Sequence, residues 1–178
     1  MTGVQTCALP IYVQSAGTLN WVYLPRLKEL SWKALAADAT QPLLITEGEL
    51  KAICACQHGY PTLGLGGVTV WRSAKKGVDL LPPLDQFNWK GRQVTIVFDS
   101  DAATNPHVAA AQVSLAKKLI LLGAAPRIAS LPADSSGAKQ GLDDFLVNGN
   151  DLGLVLSETK LLMMGELFTD FKIGRAHV

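Results

Sequence analysis

The sequence is poor in the residues that build disulfide frameworks and zinc sites. It contains only three cysteines and three histidines in 178 residues. Cys54 and Cys56 are two residues apart on a predicted helix, so their side chains diverge and cannot share a metal ion. His58 and His107 have no Cys or His neighbour at ligand spacing. The pattern argues against a zinc site and predicts buried, reduced thiols.

The sequence also lacks a long apolar run and an excess of either charge. Its apolar stretches are broken by Lys, Gly or Pro well short of the roughly 20 residues that a membrane span needs. Lysine and arginine number 16 against 15 acidic residues. A nearly neutral domain is not a general binder of phosphate backbones, so any nucleic-acid contact needs a local basic patch. We expect no membrane contact and a cytoplasmic location.

The two ends of the sequence differ in origin from its middle. Residues 1–11 can be back-translated into common sequencing-adapter DNA, and residues 173–178 can be encoded by the reverse complement of part of that DNA. Unrelated termini have no reason to match in this way, so we set both aside as cloning scars are set aside. The remainder, which we expect to be cut from a longer gene, divides into a lead-in segment with one helix (12–41), an α/β domain (42–150) and a helical segment of a truncated neighbour (151–172).

Hydrophobic periodicity and turn residues predict alternating strands and helices. Strands are predicted at 43–46, 61–65, 93–98 and 127–131, and helices at 26–37, 48–58, 68–77, 106–122 and 151–171. Thr46 and Glu49 have the spacing of a capping box at the start of the second helix. The predicted apolar stripe of that helix is Leu50, Ile53 and Cys54. The order predicts an α/β fold with a mostly parallel four-stranded sheet and helices on both faces.

Acidic residues directly follow two of the predicted strands. Glu47 comes after the first strand, and Asp99 and Asp101 come after the third. Ligands of open α/β sheets bind at the carboxyl ends of the strands. Two neighbouring carboxylates repel each other, and a divalent cation removes that repulsion. Oxygen ligands without nitrogen or sulfur favour Mg²⁺ or Mn²⁺, so the sequence predicts one hard-cation site.

Other polar residues are candidates for the same site. Asp143 and Asp144 stand at the start of a helix after the fourth predicted strand, where one can cap the helix and one can add a metal ligand. Several cations and two glycines are candidate phosphate contacts, although each alone is more often a solvated charge or a tight turn. They are Lys51, Gly66, Gly67, Arg72, Lys75, Lys76 and Lys139.

Together these motifs resemble the TOPRIM domain, which DNA primases, type IA and type II topoisomerases and some nucleases share. The motifs are T-E-G-E at 46–49, P-T-L-G-L-G-G at 61–67, V-T-I-V-F-D-S-D at 94–101 and K-Q-G-L-D-D-F-L at 139–146. The likeness is greatest to primase-type TOPRIM domains of phages, plasmids and integrative elements, including the TOPRIM-like group DUF3854. It implies a TOPRIM-like, Rossmann-like fold.

The resemblance also implies Mg²⁺-dependent phosphoryl transfer on nucleic acid. Glu47 would be the catalytic glutamate, acting as a metal ligand or as a general base. Asp99 and Asp101 would hold Mg²⁺ or Mn²⁺. Asp144 would complete the site, with Asp143 as the second choice.

Two positions depart from the pattern of many primases. Lys51 stands where they carry an Asp four residues after the glutamate, and Gly141 stands where their late motif has its first Asp. Fewer acids favour one metal ion over two. The implied partners are a DNA template, nucleoside triphosphates and a helicase domain in the same gene or in trans. Lys51 and the basic patch at 72–76 would position the nucleic acid.

Three alternative functions stay open at this point. The first is a phosphatase that forms an aspartyl-phosphate, since Asp99 and Asp101 superficially match the haloacid-dehalogenase signature D-x-D-x-[TV]. Ala103 occupies the final position of that signature, however, and the fold does not need a strand–E-G–helix unit. The second is a TOPRIM nuclease. The third is a catalytically silent TOPRIM module that binds nucleic acid or docks to a helicase.

Overall fold

The centre of the fold is a sheet built from successive strand–helix units. The structure is a computed structural model that describes residues 20–165, so the predicted adapter-derived ends lie outside the described residues. Its strands are β1 Val22–Tyr23, β2 Leu43–Glu47, β3 Thr62–Leu65, β4 Gln93–Phe98 and β5 Ala125–Ser130. They are arranged in the order β1-β3-β2-β4-β5, and only β1, at one edge, pairs antiparallel. The predicted mostly parallel α/β sheet is confirmed, with a fifth strand in place of the expected four.

Helices cover both faces of this sheet. They are α1 Trp32–Ala37, α2 Glu49–Gln57, α3 Pro82–Asp85, α4 Pro106–Leu121, α5 Leu142–Val147 and α6 Leu152–Ser157. Successive residues of a strand point to opposite faces. Leu44 accordingly joins a cluster with residues of α2, α5 and α6, whereas Ile45 joins the larger cluster with residues of α3 and α4. The core is therefore two apolar layers, one on each side of the sheet.

The start of α1 differs from the prediction. The helix begins at Trp32 and not at residue 26, because Ser31 is its N-cap and accepts a hydrogen bond from the Ala34 amide at 3.4 Å. Upstream of it, Val22 and Tyr23 pair with β3 as an edge strand. Part of the predicted lead-in segment is thus a strand of the same sheet.

The span predicted for α2 is close to the observed one, but its predicted capping box is wrong. Gly48, with a φ of +96°, is the N-cap, and no side chain caps this helix. Thr46 cannot take part in a capping box because it is buried inside β2. The predicted stripe is wrong as well, since the residues of α2 that are buried are Ala52, Ala55 and Cys56.

Further along the chain, α4 matches its predicted span, whereas two other predicted helices differ. Asn105 is the N-cap of α4 and accepts from the His107 amide at 3.1 Å. The predicted helix at 68–77 is only the 3₁₀ helix Ala74–Lys76. The predicted helix at 151–171 ends at Ser157, and its last part, 166–171, lies outside the described residues.

A buried arginine ties the lead-in segment to the sheet. Arg92 precedes β4 and has no exposed surface. Its Nε donates to the Asn88 carbonyl at 2.9 Å, and its Nη1 donates to the Gln41 carbonyl at 2.8 Å. Its Nη2 donates to the carbonyls of Leu35 at 2.8 Å and Ala36 at 3.2 Å. One guanidinium therefore satisfies four backbone acceptors, two of them in α1.

Gly64 of β3 is needed for a close approach between three elements. A Cβ there would lie 3.0 Å from the Gly48 carbonyl oxygen, 3.1 Å from the Ala52 Cβ and 3.2 Å from the Tyr23 Cβ. We expect Gly64→Ala to lower the free energy of unfolding by about 1–3 kcal/mol, because an overpacked methyl group must push the backbone of the β2–α2 turn away. Urea denaturation followed by circular dichroism measures the loss.

Gly66→Ala is the matched control for this substitution. A Cβ at Gly66 would meet only Val70 Cγ1 at 3.8 Å, an ordinary contact. The control is expected to unfold at the urea midpoint of the unsubstituted chain. Equal midpoints for the two variants would contradict the close packing at Gly64.

Candidate functional site

The carboxyl edge of the parallel strands gathers the acids that the sequence singled out. Glu47 is the last residue of β2, Asp99 follows β4, and Asp101 lies in the 3₁₀ helix Ser100–Ala103. Because β2 and β4 are neighbours in the sheet, the two acidic segments reach the same edge, as predicted.

Two lysines form ion pairs with the aspartates at this edge. The Lys51 Nζ lies 2.7 Å from Asp99 Oδ1, as an ion pair without hydrogen-bond geometry. The Lys139 Nζ lies 3.0 Å from Asp99 Oδ2 and 3.1 Å from Asp101 Oδ2. These hydrogen bonds, first to Asp99 and then to Asp101, raise the pKa of Lys139. We call the four residues the ion-pair cluster.

The members of the cluster differ strongly in burial. The Asp99 side chain is only 8% exposed, whereas that of Lys139 is 53% exposed. Removing a carboxylate from water is costly unless a cation and hydrogen bonds compensate it. Asp99 is therefore the residue whose charge most needs a partner, and Lys139 is the partner that can move away most easily.

A reciprocal pair of hydrogen bonds brings Lys139 to the aspartates. The Ser100 amide donates to the Gln140 carbonyl at 3.0 Å, and the Gln140 amide donates to Ser100 Oγ at 2.8 Å. Gln140 is buried, although it ends a polar loop. Sequence reasoning missed this link because it joins two motifs 40 residues apart, and neither motif indicates that it pairs with the other. The only available signal was the position of Ser100 between two aspartates.

The turn after β2 places Lys51 on the same site. Gly48 adopts a positive φ, which glycine takes at little cost, and its amide donates to the Leu65 carbonyl at 2.7 Å. This turn starts α2 directly over the edge of the sheet. Lys51, in the first turn of α2, thereby reaches Asp99.

Asp143 and Asp144 lie beside the cluster, in the first turn of α5. The expectation that one of them caps this helix is wrong, because the N-cap is Gly141 and no side chain caps it. A Cβ at Gly141 would lie 2.6 Å from Asp143 Oδ1, 3.0 Å from Lys51 Cε and 3.6 Å from Asp144 Oδ2. The three side chains thus converge on the space that the glycine leaves open.

The fit of a metal ion can be judged from these contacts. Within residues 20–165, no three Asp, Glu, His or Cys side chains are grouped closely enough to hold an ion. Asp99 and Asp101 do converge, and the Lys139 ammonium between them marks a position that suits a cation. The donor set therefore fits a cation held by two carboxylates and completed by water or substrate.

Glu47 lies at this edge but outside the ion-pair cluster. The register pairs Ile45 with Ile96, which puts Glu47 level with Phe98 and one residue before Asp99 on the neighbouring strand. Since side chains alternate along a strand, Glu47 and Asp99 start on opposite faces of the sheet. In the described part of the chain, Glu47 is half-buried and has neither an ion pair nor a side-chain hydrogen bond.

The remaining predicted phosphate contacts follow β3. Gly66 is exposed and Gly67 half-buried, directly after the carboxyl end of that strand. The Arg72 guanidinium lies over the Trp71 ring, 4.8 Å from its centroid. Lys75 and Lys76 are exposed in the 3₁₀ helix Ala74–Lys76. These residues lie past the carboxyl end of β3, which is next to β2 in the sheet.

The two central cysteines are separate thiols. Cys54 is half-buried and Cys56 is buried, and neither forms a disulfide. Burial raises the pKa of both thiols. The Cys56 sulfur accepts a hydrogen bond from the Thr62 amide at 3.2 Å, which joins α2 to β3. The prediction of buried thiols is confirmed for Cys56, whereas Cys54 is only half-buried.

A comparison with family models identifies the family of this chain. In the described part of the chain, none of the helices has the length and apolar character needed to cross a membrane. A search of curated proteins finds no match to the chain. A family model with the description "Domain of unknown function (DUF3854)" matches residues 31–152, which contain every element from α1 to α5 and the whole ion-pair cluster. The chain belongs to the DUF3854 family.

Proposed function

We propose that the chain is the TOPRIM-type module of a phage- or plasmid-type DNA primase and carries out Mg²⁺-dependent nucleotidyl transfer on nucleic acid. One observation carries the proposal: a nearly buried carboxylate, Asp99, ends the strand beside β2 and shares one ammonium with Asp101. This is the edge at which α/β sheets bind ligands. A buried carboxylate at this edge needs a cation, and a metal ion bound there would in turn bind the phosphates of a substrate.

Asp99 and Asp101 would hold the ion in this proposal. Mg²⁺ is commonly bound by one or two carboxylates together with substrate phosphates and water. The chemistry it supplies when bound is neutralisation of negative charge on the transferring phosphates. Asp144, or Asp143, is near enough to Lys51 to balance its charge while a substrate is bound.

The lysines and the glutamate have separate roles in the proposal. The ammonium groups of Lys51 and Lys139, which lie on Asp99, would turn to phosphate oxygens, since charge-assisted hydrogen bonds form equally well with either anion. Glu47, which has no ion pair in residues 20–165, would accept the proton of the attacking 3′-hydroxyl. DNA template, nucleoside triphosphates and a helicase are the partners of such a module, and the cytoplasm is its compartment.

The test uses the full chain with three readouts. Mn²⁺ binding is followed by electron paramagnetic resonance, synthesis by incorporation of labelled nucleotides on a single-stranded DNA template, and cleavage by nicking of supercoiled plasmid. We expect metal binding and metal-dependent incorporation. Nicking without incorporation would favour the nuclease, and DNA binding without either would favour the silent module.

Lys139→Met is expected to raise Mn²⁺ affinity and to lower the affinity for a nucleoside triphosphate. The ammonium competes with the metal for Asp99 and Asp101, and its removal leaves both carboxylates to the ion. Because Lys139 is half exposed, we expect a change of only roughly threefold in each affinity. Isothermal titration with Mn²⁺, and then with a nucleotide in the presence of Mn²⁺, measures both.

Lys90→Met is the matched control, since Lys90 is an exposed lysine at the opposite, amino end of β4. It should change neither affinity. An unchanged or weaker Mn²⁺ affinity in Lys139→Met would show that Lys139 does not stand in the place of a metal ion.

A further inference from the structure

A second cleft lies at the outer edge of the sheet, next to β1. Its volume is about 490 Å³, and its lining includes Trp21, Tyr23, Arg26, Trp32 and Ile53. Three of its seven lining residues are aromatic, in a chain whose aromatic content is only 7%. The cleft therefore concentrates a scarce residue type at one place on the surface.

Trp21 is the accessible aromatic side chain of this cleft, whereas Trp32 packs partly against the core and its Nε1 donates to the Pro25 carbonyl at 2.7 Å. Trp21 is 62% exposed, whereas Trp71 and Trp89 are buried in the core at 3% and 5%. A large exposed aromatic surface is costly in water and commonly marks a binding surface. Tyr23 is half-buried, and Arg26 is exposed beside it.

The pairing of β1 places this cleft at the same carboxyl edge of the sheet as the ion-pair cluster, with β3 and β2 between β1 and β4. Because β1 runs antiparallel to β3, with Val22 opposite Leu65, Trp21 lies just past the carboxyl end of β3. The Tyr23 Cβ lies 3.2 Å from the position of a Cβ at Gly64, as Ala52 of α2 does at 3.1 Å. Tyr23 is therefore on the α2 face of the sheet, the face from which Lys51 reaches Asp99.

Arg26 is the charged residue that lines the cleft, and it is exposed. Further along the chain come two exposed lysines, Lys28 and Lys33, and two exposed acids, Glu29 and Asp38. Aromatic rings beside cations are the surface that binds single strands, since bases stack on the rings while the cations meet the phosphates.

We propose that the cleft binds the bases of a single-stranded nucleic acid, with Trp21 as the stacking residue and Arg26 as a phosphate contact. The choice of nucleic acid as the occupant rests on the proposed function. A strand held here would run past the Gly48 turn at the start of α2 towards Asp99. The cleft would thus hold the template at a site separate from the one where nucleotidyl transfer takes place.

The experiment titrates the full chain with the oligonucleotide dT₁₅ and follows tryptophan fluorescence and anisotropy. We expect dT₁₅ to quench the fluorescence of the unsubstituted chain. Trp21→Ala should weaken dT₁₅ binding by about tenfold, the loss of one stacked base. Trp21→Phe should bind nearly as well but lose most of the quenching. Leu154→Ala, which truncates a residue that is 64% exposed on α6, is the control and should change neither.

The outcomes separate this inference from the proposed function. Equal binding of dT₁₅ by the unsubstituted chain and Trp21→Ala would overturn the inference, as would equal binding of an abasic strand of the same length. A change of self-association in Trp21→Ala without a change in dT₁₅ binding would also overturn it, and would make the cleft an interface between copies. If Asp99→Asn loses metal binding but its fluorescence is still quenched by dT₁₅, the stacking site is supported independently of the metal site.

Discussion

Asp99→Asn is expected to lower Mn²⁺ affinity by at least about 100-fold and to abolish metal-dependent incorporation of nucleotides. Even indirect partners of metal ligands are worth roughly 10–100-fold in affinity, and Asp99 is proposed as a direct ligand. The amide has nearly the same shape but no charge, so the effect reports the carboxylate itself. Mn²⁺ titration by electron paramagnetic resonance measures the affinity.

The same substitution also removes the charge that two lysines share. Lys51 and Lys139 both pair with Asp99, so some loss of stability is expected, and the melting temperature must be measured beside the affinity. Asp85→Asn, on an exposed acid of α3, is the matched control and should bind Mn²⁺ as the unsubstituted chain does. Undiminished Mn²⁺ binding by a folded Asp99→Asn variant would refute the assignment of the ion to this edge.

Arg92→Met is expected to lower the free energy of unfolding by about 3–5 kcal/mol, the range of the most damaging single substitutions. Methionine fills much of the space but donates no hydrogen bond, so four backbone carbonyls lose a donor. The Ala36 carbonyl keeps the Asn88 amide at 2.8 Å, and each carbonyl that is left buried and unpaired costs about 1–3 kcal/mol. The total free energy of unfolding of a domain of this size is about 5–15 kcal/mol. Urea denaturation should show a much earlier midpoint.

Arg127→Met provides the comparison within the same chain. Arg127 is half-buried and donates one hydrogen bond, from Nη1 to the Thr159 carbonyl at 2.7 Å. Its loss should cost no more than about 1 kcal/mol. If the two arginine variants unfolded at the same urea concentration, the four acceptors of Arg92 would not be the source of stability inferred here.

The sequence was sufficient to predict the elements whose own residues carry a clear hydrophobic or capping pattern. The apolar run of β4 can hardly form anything but a buried strand, and α4 has a side-chain cap, a proline at its first position and a long apolar face. β1 escaped prediction because a strand of two residues has no periodicity and exists only through its pairing with β3. The capping box of α2 failed because tertiary packing of Thr46 in the sheet overrode a local signal.

The candidate site was predictable to the same extent. The position of Asp99 could be predicted because it directly follows a strand, and the carboxyl ends of parallel strands share an edge. The ion pairs of Lys51 and Lys139 were not predictable, because they join residues 48 and 40 positions apart. The first depends on the turn at Gly48 and the second on a loop conformation, and no local pattern specifies either contact. For the same reason, the sequence could not show that Glu47 stays outside the cluster.

The bonds that Arg92 makes to α1 set a limit on how this protein can be shortened. A fragment that began at Pro42 would keep every acidic motif, yet it would bury a guanidinium that had lost its acceptors at Leu35, Ala36 and Gln41. It would also leave β3 as an unprotected sheet edge, which invites aggregation. Expression of a minimal soluble piece should therefore start upstream of Trp21, and the acidic motifs alone are a poor guide to where such a piece begins.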